Sequence, residues 1–341
     1  MLRLLRTTLV GSALASSSSL RAATSKADKR PIALLLPLTG EHAALGTSMA
    51  NAASLAQNAG GALLPIDTGG TPAGAAAAAK TALARRAGII LGPLTSAEVP
   101  AVTAAVAGRV PVIAFTNDAA QAATGAFVFG VTPEQATSAI LRYARSRGVR
   151  SLVAIGNGTR WTAAAAATAK GLEGELGLSV RSLEVRPGEP IPAAGDAPDA
   201  VLLPGDGASL VAAARGLQGT GVQLLGTLQG IDNTPAALAA LDGAWLASLD
   251  PAKFGEFAGD FVQRHGGQPG AVAALALDAA TVALALRGQG RLDRAGLLGG
   301  DGWPGIAGAV RFRSDGSVAR EMAIVVARPG GYEPVATATG A

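Results

Sequence analysis

The chain of 341 residues contains no cysteine. That excludes structural disulfides, thiolate metal sites, a cysteine nucleophile and lipid attachment through an N-terminal Cys. Aromatic residues make up only 4%, too few for a stacking platform for single-stranded nucleic acid or for an aromatic sugar-binding cleft. Histidine occurs twice, as His42 and His265, in separate segments, so no His/His metal pair has spacing support. His265, in "QRHGG", reads as the end of a helix; His42 reads as a solvated first-turn side chain or as a ligand contact. There is no Gly-x-Ser-x-Gly elbow and no Walker loop. The Gly-x-Gly-x-x-Gly at residues 300–305, "GDGWPG", follows a loop, and Pro304 stops a helix from opening there; a surface turn is the better reading. Nothing argues for an enzyme, and no cofactor or metal is called for.

What is present is largely apolar. Hydrophobic residues make up 49% of the chain and charged residues 15%, a globular composition long enough for two domains with substantial cores. The first residues, "MLRLLRTTLVGSALASSSSLRAA", carry Arg3 and Arg6, then an uncharged Ser-rich stretch, then Leu20-Arg21-Ala22. This is the pattern of a signal peptide at residues 1–22, with a mitochondrial transit peptide as the alternative. Its removal takes away Arg3, Arg6 and Arg21 and reduces the formal net charge from +4 to +1, which leaves no electrostatic case for nucleic acid. No other stretch is expected to be long and apolar enough to span a bilayer.

From Pro31 onward, short apolar runs alternate with longer Ala-rich helical stretches. Strands are expected at 32–36, 63–67, 88–91 and 110–115, with helices at 41–57, 71–86 and 96–107 between them. Continuous apolar runs such as "IALLL" and "VPVIAF" suit parallel strands buried on both faces. The pattern restarts at Thr132-Pro133, a helix N-cap with Pro in the first helical position. That helix runs to 147; strands follow at 151–155, 179–184, 200–203 and 222–225, with helices at 160–176 and 206–217. Residues 186–200 form a Pro/Gly-rich surface connection. Two further helices, 251–265 and 272–286, precede a hairpin turning at Asp315-Gly316.

In open α/β sheets the carboxyl ends of the strands carry the ligand site, because helix N-termini leave backbone N–H groups free there. Thr39 and Glu41 follow the first strand, Thr95 and Ser96 the third, and Thr116, Asn117 and Asp118 the fourth. Thr95 and Ser96 are expected to cap the next helix. Together these turns would place small hydroxyl and amide groups on one rim, suited to a carboxylate or another small polar group; ordinary N-capping is the alternative. The second half offers "GNGTRW", "LPGDGAS" and "LQGID" at corresponding strand ends. Trp161 there reads equally as an apolar wall over a ligand or as packing on its own helix.

"IALLLPLTGEHAALG", "GIILGPLTSAEV", "RVPVIAFTND", "LDAATVALAL" and "GIAGAVRFRSDGSVAR", in this order, resemble the type I periplasmic binding proteins, specifically the leucine-binding-protein-like domain. The resemblance covers nearly all of residues 31–330. It implies an α/β fold of two doubly wound parallel-sheet lobes joined by a multi-stranded hinge: an N-terminal lobe of residues 31–132 plus about 251–305, and a C-terminal lobe of 133–250 plus about 306–335. It implies that Ser96 meets a ligand carboxylate, that Thr116 and Asp118 stand where amino-acid binders offer a carbonyl and a hydroxyl, and that Trp161 lies near the family's aromatic. Asp118 departs from the usual Thr or Ser, and Asp232 is the nearest candidate for the acid that meets an ammonium. The implied function is capture of a small polar ligand, an amino acid among the candidates, in the periplasm for an ABC transporter permease. "AFTND", "VFGVTPEQ" and "GWPGIAGAVRF" are also similar to the penicillin-binding-protein activator branch, which implies instead a peptidoglycan synthase as partner.

Overall fold

The computed structural model describes residues 27–56, 61–186, 189, 197–217 and 219–340. The expected signal peptide, the last residue of the helix expected at 41–57 and part of the 186–200 connection lie outside the described residues. The first half comprises β1 (Ile32–Leu36), α1 (Ala43–Ser54), β2 (Leu63–Asp67), α2 (Pro72–Ala84), β3 (Ile89–Leu91), α3 (Val99–Val106), β4 (Val112–Ala114), a 3-10 helix (Ala119–Thr124) and β5 (Phe127–Val128). The next stretch comprises α4 (Pro133–Ser146), β6 (Ser151–Gly156), α5 (Arg160–Gly171), α6 (Glu173–Leu176), β7 (Ser179–Glu184), β8 (Ala200–Leu203), α7 (Gly207–Gly216), β9 (Gln223–Thr227), α8 (Pro235–Ala240) and β10 (Trp245–Ser248). The chain ends with α9 (Pro251–His265), α10 (Ala271–Gly288), α11 (Arg294–Leu298), β11 (Val310–Phe312), β12 (Val318–Arg328) and β13 (Gly331–Gly340).

The first sheet is wholly parallel, in the order β2-β1-β3-β4-β5. The second repeats that order in its parallel part, β7-β6-β8-β9-β10, and adds antiparallel β12, flanked by β11 and β13. Side chains alternate across each strand, so the two faces of β1 pack against different helices. Ile32, Leu34 and Leu36 pack with Met49 of α1 and Leu286 of α10, whereas Ala33 and Leu35 pack with Ala75, Ala79 and Ala82 of α2 and Val102 of α3. The alanine runs let α2 lie close to the sheet. α4 opens on a capping box: Thr132 Oγ1 accepts from the Gln135 N–H, and Gln135 Oε1 accepts from the Thr132 N–H.

Three expectations need correction. The sequence pattern overlooks β5, β10 and β13, which are short or, in "ATAT", too polar to register as apolar strands. The single helix expected at 160–176 breaks at Leu172 into α5 and α6. Finally, α10 is long and apolar enough to cross a membrane, with a mean hydropathy of 1.6 over its 18 residues. It is a core helix, with Leu275, Val282 and Leu286 buried alongside α1 and the first sheet.

The chain passes between the two sheets three times, at 129–132, 249–250 and 299–309. The seam is held from inside. Arg320 of β12 is buried and donates from Nη1 to the Ala307 carbonyl at 2.9 Å and from Nη2 to the Phe129 carbonyl at 2.7 Å. Asp278 of α10, also buried, accepts from the N–H groups of Ile306 (2.8 Å) and Ala307 (2.9 Å). Burial pushes the Arg320 guanidinium down to about 10, opposed by the nearby Asp278 carboxylate. Burial likewise raises the Asp278 carboxyl, against those two backbone donors. Gln135 adds a third tie, donating from Nε2 to the Val318 carbonyl.

Candidate functional site

β3 and β4 run parallel, with Leu91 beside Ile113, so the turns after them lie side by side. The ladder continues past the strands: the Gly92 N–H donates to the Ile113 carbonyl at 2.7 Å, and the Phe115 N–H to the Pro93 carbonyl at 2.9 Å. Gly92 has φ +105°, and a Cβ there would run into the Leu35 carbonyl, so this turn requires glycine.

In the turn after β3, helix α3 begins at Val99, with Glu98 at the cap position. Thr95 and Ser96 therefore do not cap it. The Thr95 N–H and hydroxyl both donate to Glu98 Oε2, at 3.0 and 2.8 Å. Glu98 is buried, and this local closure competes with helix formation and delays its start by three residues. Ser96 is left to face the neighbouring turn, and its Oγ lies 2.8 Å from Thr116 Oγ1. Thr116 Oγ1 also accepts the Asp118 N–H at 3.1 Å, and the Thr116 carbonyl accepts the Gly130 N–H at 3.1 Å.

These groups open onto a cavity of about 340 Å³ at the seam of the two sheets, within the range of small-molecule sites. Thr95, Ser96, Thr116, Asn117 and Gly130 form one wall. Leu228 and Gln229, just past β9 in the second sheet, form the opposite one. Leu249 lies on the second crossing, and Ala271, Val272 and Leu275 of α10 supply an apolar side. Among the described residues no group of three or more His, Asp or Glu is placed to hold a metal ion.

The other residues singled out in the sequence lie off this wall. Thr39 Oγ1 donates to Asp67 Oδ2 at 2.6 Å, while the Leu38, Thr39 and Gly69 N–H groups converge on Asp67 Oδ1. The Thr39 hydroxyl and those N–H groups hold the Asp67 carboxyl below its ordinary value. Glu41 is exposed in the turn before α1. Asp118 caps the 3-10 helix, accepting from the Ala120 N–H at 3.2 Å and from Gln121 Nε2 at 3.0 Å. Its Oδ2 is also 3.9 Å from Arg160 of α5, so the ion pair reaches from the first sheet's rim to the second's. Trp161 packs against the main core with Nε1 buried and unpartnered. Asp232 closes its own turn, accepting from the Thr234 N–H at 2.9 Å. Its backbone exchanges hydrogen bonds with the Tyr332 hydroxyl.

Gln229 is the polar wall residue that sequence reasoning missed, alongside the apolar ones from the crossings and α10. It stands three residues before Asp232 in the same "LQGID" turn. A search for an acid passes over an amide, and only the backbone path after β9 decides which residue of the turn meets the cavity.

A sequence model of the family described as periplasmic binding protein matches residues 30–332. Comparison with curated proteins gives no match. Among solved structures, a branched-chain amino acid ABC transporter protein from Rhodospirillum rubrum superposes with a TM-score of 0.78 at 21% identity, covering 90% of this chain and 100% of that one. An R. palustris ABC transporter solute-binding protein in complex with benzoate gives 0.61 at 18%, covering 91% and 96%. The C-domain of LpoA from Haemophilus influenzae, a regulator of PBP1A, gives 0.69 at 16%, covering 90% and 100%. At these identities the superpositions establish the fold alone. With two sheets whose parallel parts share one strand order, three crossings between them and a cavity at their seam, the chain belongs to the periplasmic binding protein family, in its type I fold.

Proposed function

We propose that this protein is a non-enzymatic solute-binding protein of the periplasm, which captures a small polar molecule between its lobes and presents it to an ABC transporter permease. The observation that carries this reading is the seam cavity: one wall comes from turns of the first sheet, with the Ser96–Thr116 hydroxyl pair at its centre, and the other from Leu228 and Gln229 of the second. A ligand touching both walls favours the closed arrangement by its differential contacts, and a permease can read that state. Ser96 and Thr116 are the proposed polar anchors, with Thr95, Asn117 and Gln229 around them.

Ser96→Ala removes the proposed anchor hydroxyl and leaves the ligand group it meets unpaired in the cavity, which typically costs about 1–3 kcal/mol, roughly a 5- to 150-fold loss of affinity. Calorimetric titration of wild type and Ser96→Ala with a solute that binds tests this. Equal affinities would remove Ser96 from the site. Export is tested by mass spectrometry of the protein from its native cells: a start near Ala23 supports the periplasm, and an intact Met1 in soluble cytoplasmic protein refutes it.

A second reading, activation of a peptidoglycan synthase by protein contact, is favoured by the likeness to the LpoA C-domain. Retention of a cell-wall synthase on the immobilised protein, with no solute giving heat or a thermal shift, would establish it over solute capture.

A further inference from the structure

Resting on the solute-capture reading, we infer that the seam cavity is built for an uncharged ligand, a molecule with amide or hydroxyl head groups on an apolar body, rather than for a zwitterionic amino acid. The cavity wall carries five polar side chains, Thr95, Ser96, Thr116, Asn117 and Gln229, and none of them is ionisable. Most of the rest of the wall is apolar, from Leu94, Phe115, Val131, Leu249, Val272 and Leu275. An ammonium or carboxylate moved from water into such a place loses its hydration and meets no opposite charge. A neutral amide or hydroxyl loses far less and recovers it in hydrogen bonds.

The carboxylates nearest to the wall are committed elsewhere. Asp118 holds the Ala120 N–H and the Gln121 amide and faces Arg160. Asp232 holds the Thr234 N–H. Glu98 lies behind Thr95 with Oε2 closed by two donors, its Oε1 being without a partner.

Proton counting sharpens the match. The Thr95 hydroxyl proton goes to Glu98, so that oxygen offers the cavity only lone pairs. Ser96 and Thr116 have two hydroxyl protons between them; one is used in their mutual contact, and one remains for a ligand acceptor. Asn117 and Gln229 each bring an amide that donates and accepts. The wall therefore presents donors and acceptors in mixed order, which suits a neutral amide, lactam or polyol.

Matched probes decide the question. The purified protein, freed of co-purifying ligand, is titrated by calorimetry with 4-methylpentanamide and benzamide, with the corresponding carboxylates, and with leucine and phenylalanine. The expected result is binding of at least one amide at least tenfold tighter than its carboxylate and amino-acid counterparts. In Gln229→Glu, which puts a carboxyl group on the wall at unchanged size, leucine should gain at least tenfold relative to the amide. Tighter binding of leucine, phenylalanine or either carboxylate by the wild type would overturn this inference and leave solute capture standing; loss of that leucine binding in Glu98→Gln would identify Glu98 Oε1 as the ammonium partner. No heat from any of the six probes would overturn this inference; solute capture falls with it only if the immobilised protein also retains a cell-wall synthase and no solute gives heat or a thermal shift.

Discussion

The Arg320 side chain reaches from β12 to the Phe129 carbonyl, 191 residues away in sequence, and makes a 2.7 Å hydrogen bond with almost no solvent exposure. Its other terminal nitrogen holds Ala307, and its guanidinium lies over the Phe129 ring at 4.9 Å. One cation thus joins the first and third crossings between the sheets. Phe129 in turn stacks on Phe312, and Phe127 meets the same ring edge-on, so the charge sits inside an aromatic seam.

Truncating that cation should leave two buried carbonyls without their donor and remove the positive charge near the buried Asp278 carboxyl. Arg320→Met is expected to lower the unfolding free energy by about 3–5 kcal/mol. Arg320→Lys should recover only part of it, because one ammonium cannot reproduce the planar fork that serves both carbonyls. Urea titration of the three proteins measures both differences; a loss under about 1 kcal/mol in Arg320→Met would contradict the role assigned to it.

Gly130 lies within the first crossing, 129–132, against the turn after β4. A Cβ placed there would strike the carbonyl oxygens of Thr116 and Phe115. Gly130→Ala should therefore displace the backbone of the cavity wall, at about 1–3 kcal/mol of stability, and weaken whatever ligand wild type binds. A variant as stable as wild type, with unchanged affinity, would mean that the crossing shifts freely.

The Asp118–Arg160 pair is an exposed contact across the rim: the Arg160 side chain is 92% exposed and its charge lies 3.9 Å from the carboxylate. Such pairs contribute about 0–1 kcal/mol. Asp118→Asn keeps an acceptor for the Ala120 N–H, and Asn caps as well as Asp. Both Asp118→Asn and Arg160→Ala are expected to melt within a few degrees of wild type and to bind an uncharged ligand with unchanged affinity. A tenfold or greater loss of affinity in Asp118→Asn alone would place a ligand cation beside that carboxylate.

Asp67 carries the acid dependence of the turn after β1. Its folded-state carboxyl lies below the ordinary value of 3.8 because the Thr39 hydroxyl and the Gly69, Leu38 and Thr39 N–H groups donate to its charged form. With the folded value below the unfolded one, the stabilisation is present above 3.8 and is lost as pH falls through the folded value. In melting curves recorded across that acid range, Asp67→Asn should lose less stability on acidification than wild type. Parallel curves would show that the hydrogen bonds favour neither protonation state.

Much of the fold is legible in the residues alone. Runs such as "IALLL" must be buried on both faces, and Ala-rich stretches between them have nowhere to pack but on the sheet; Thr132-Pro133 starts a helix because the cap is local chemistry. β1, β2, β7, β8 and α9 accordingly occupy the spans expected of them. β10 and β13 escaped because their strand character comes from neighbours: β10 lies between β9 and β12, and β13 pairs along most of β12. The site divides along the same line. That Thr95, Ser96, Thr116 and Asn117 stand at strand ends is set by local pattern. That Ser96 turns to Thr116 instead of capping α3, and that Gln229 rather than Asp232 or Trp161 completes the wall, was decided by tertiary structure. Parallel pairing sets two turns side by side, a buried Glu98 captures Thr95, and three separate crossings bring the second sheet to face the first. The first and last of these join groups whose positions no short stretch of chain controls, while the Glu98–Thr95 closure spans only three residues and depends on the fold through the burial of Glu98.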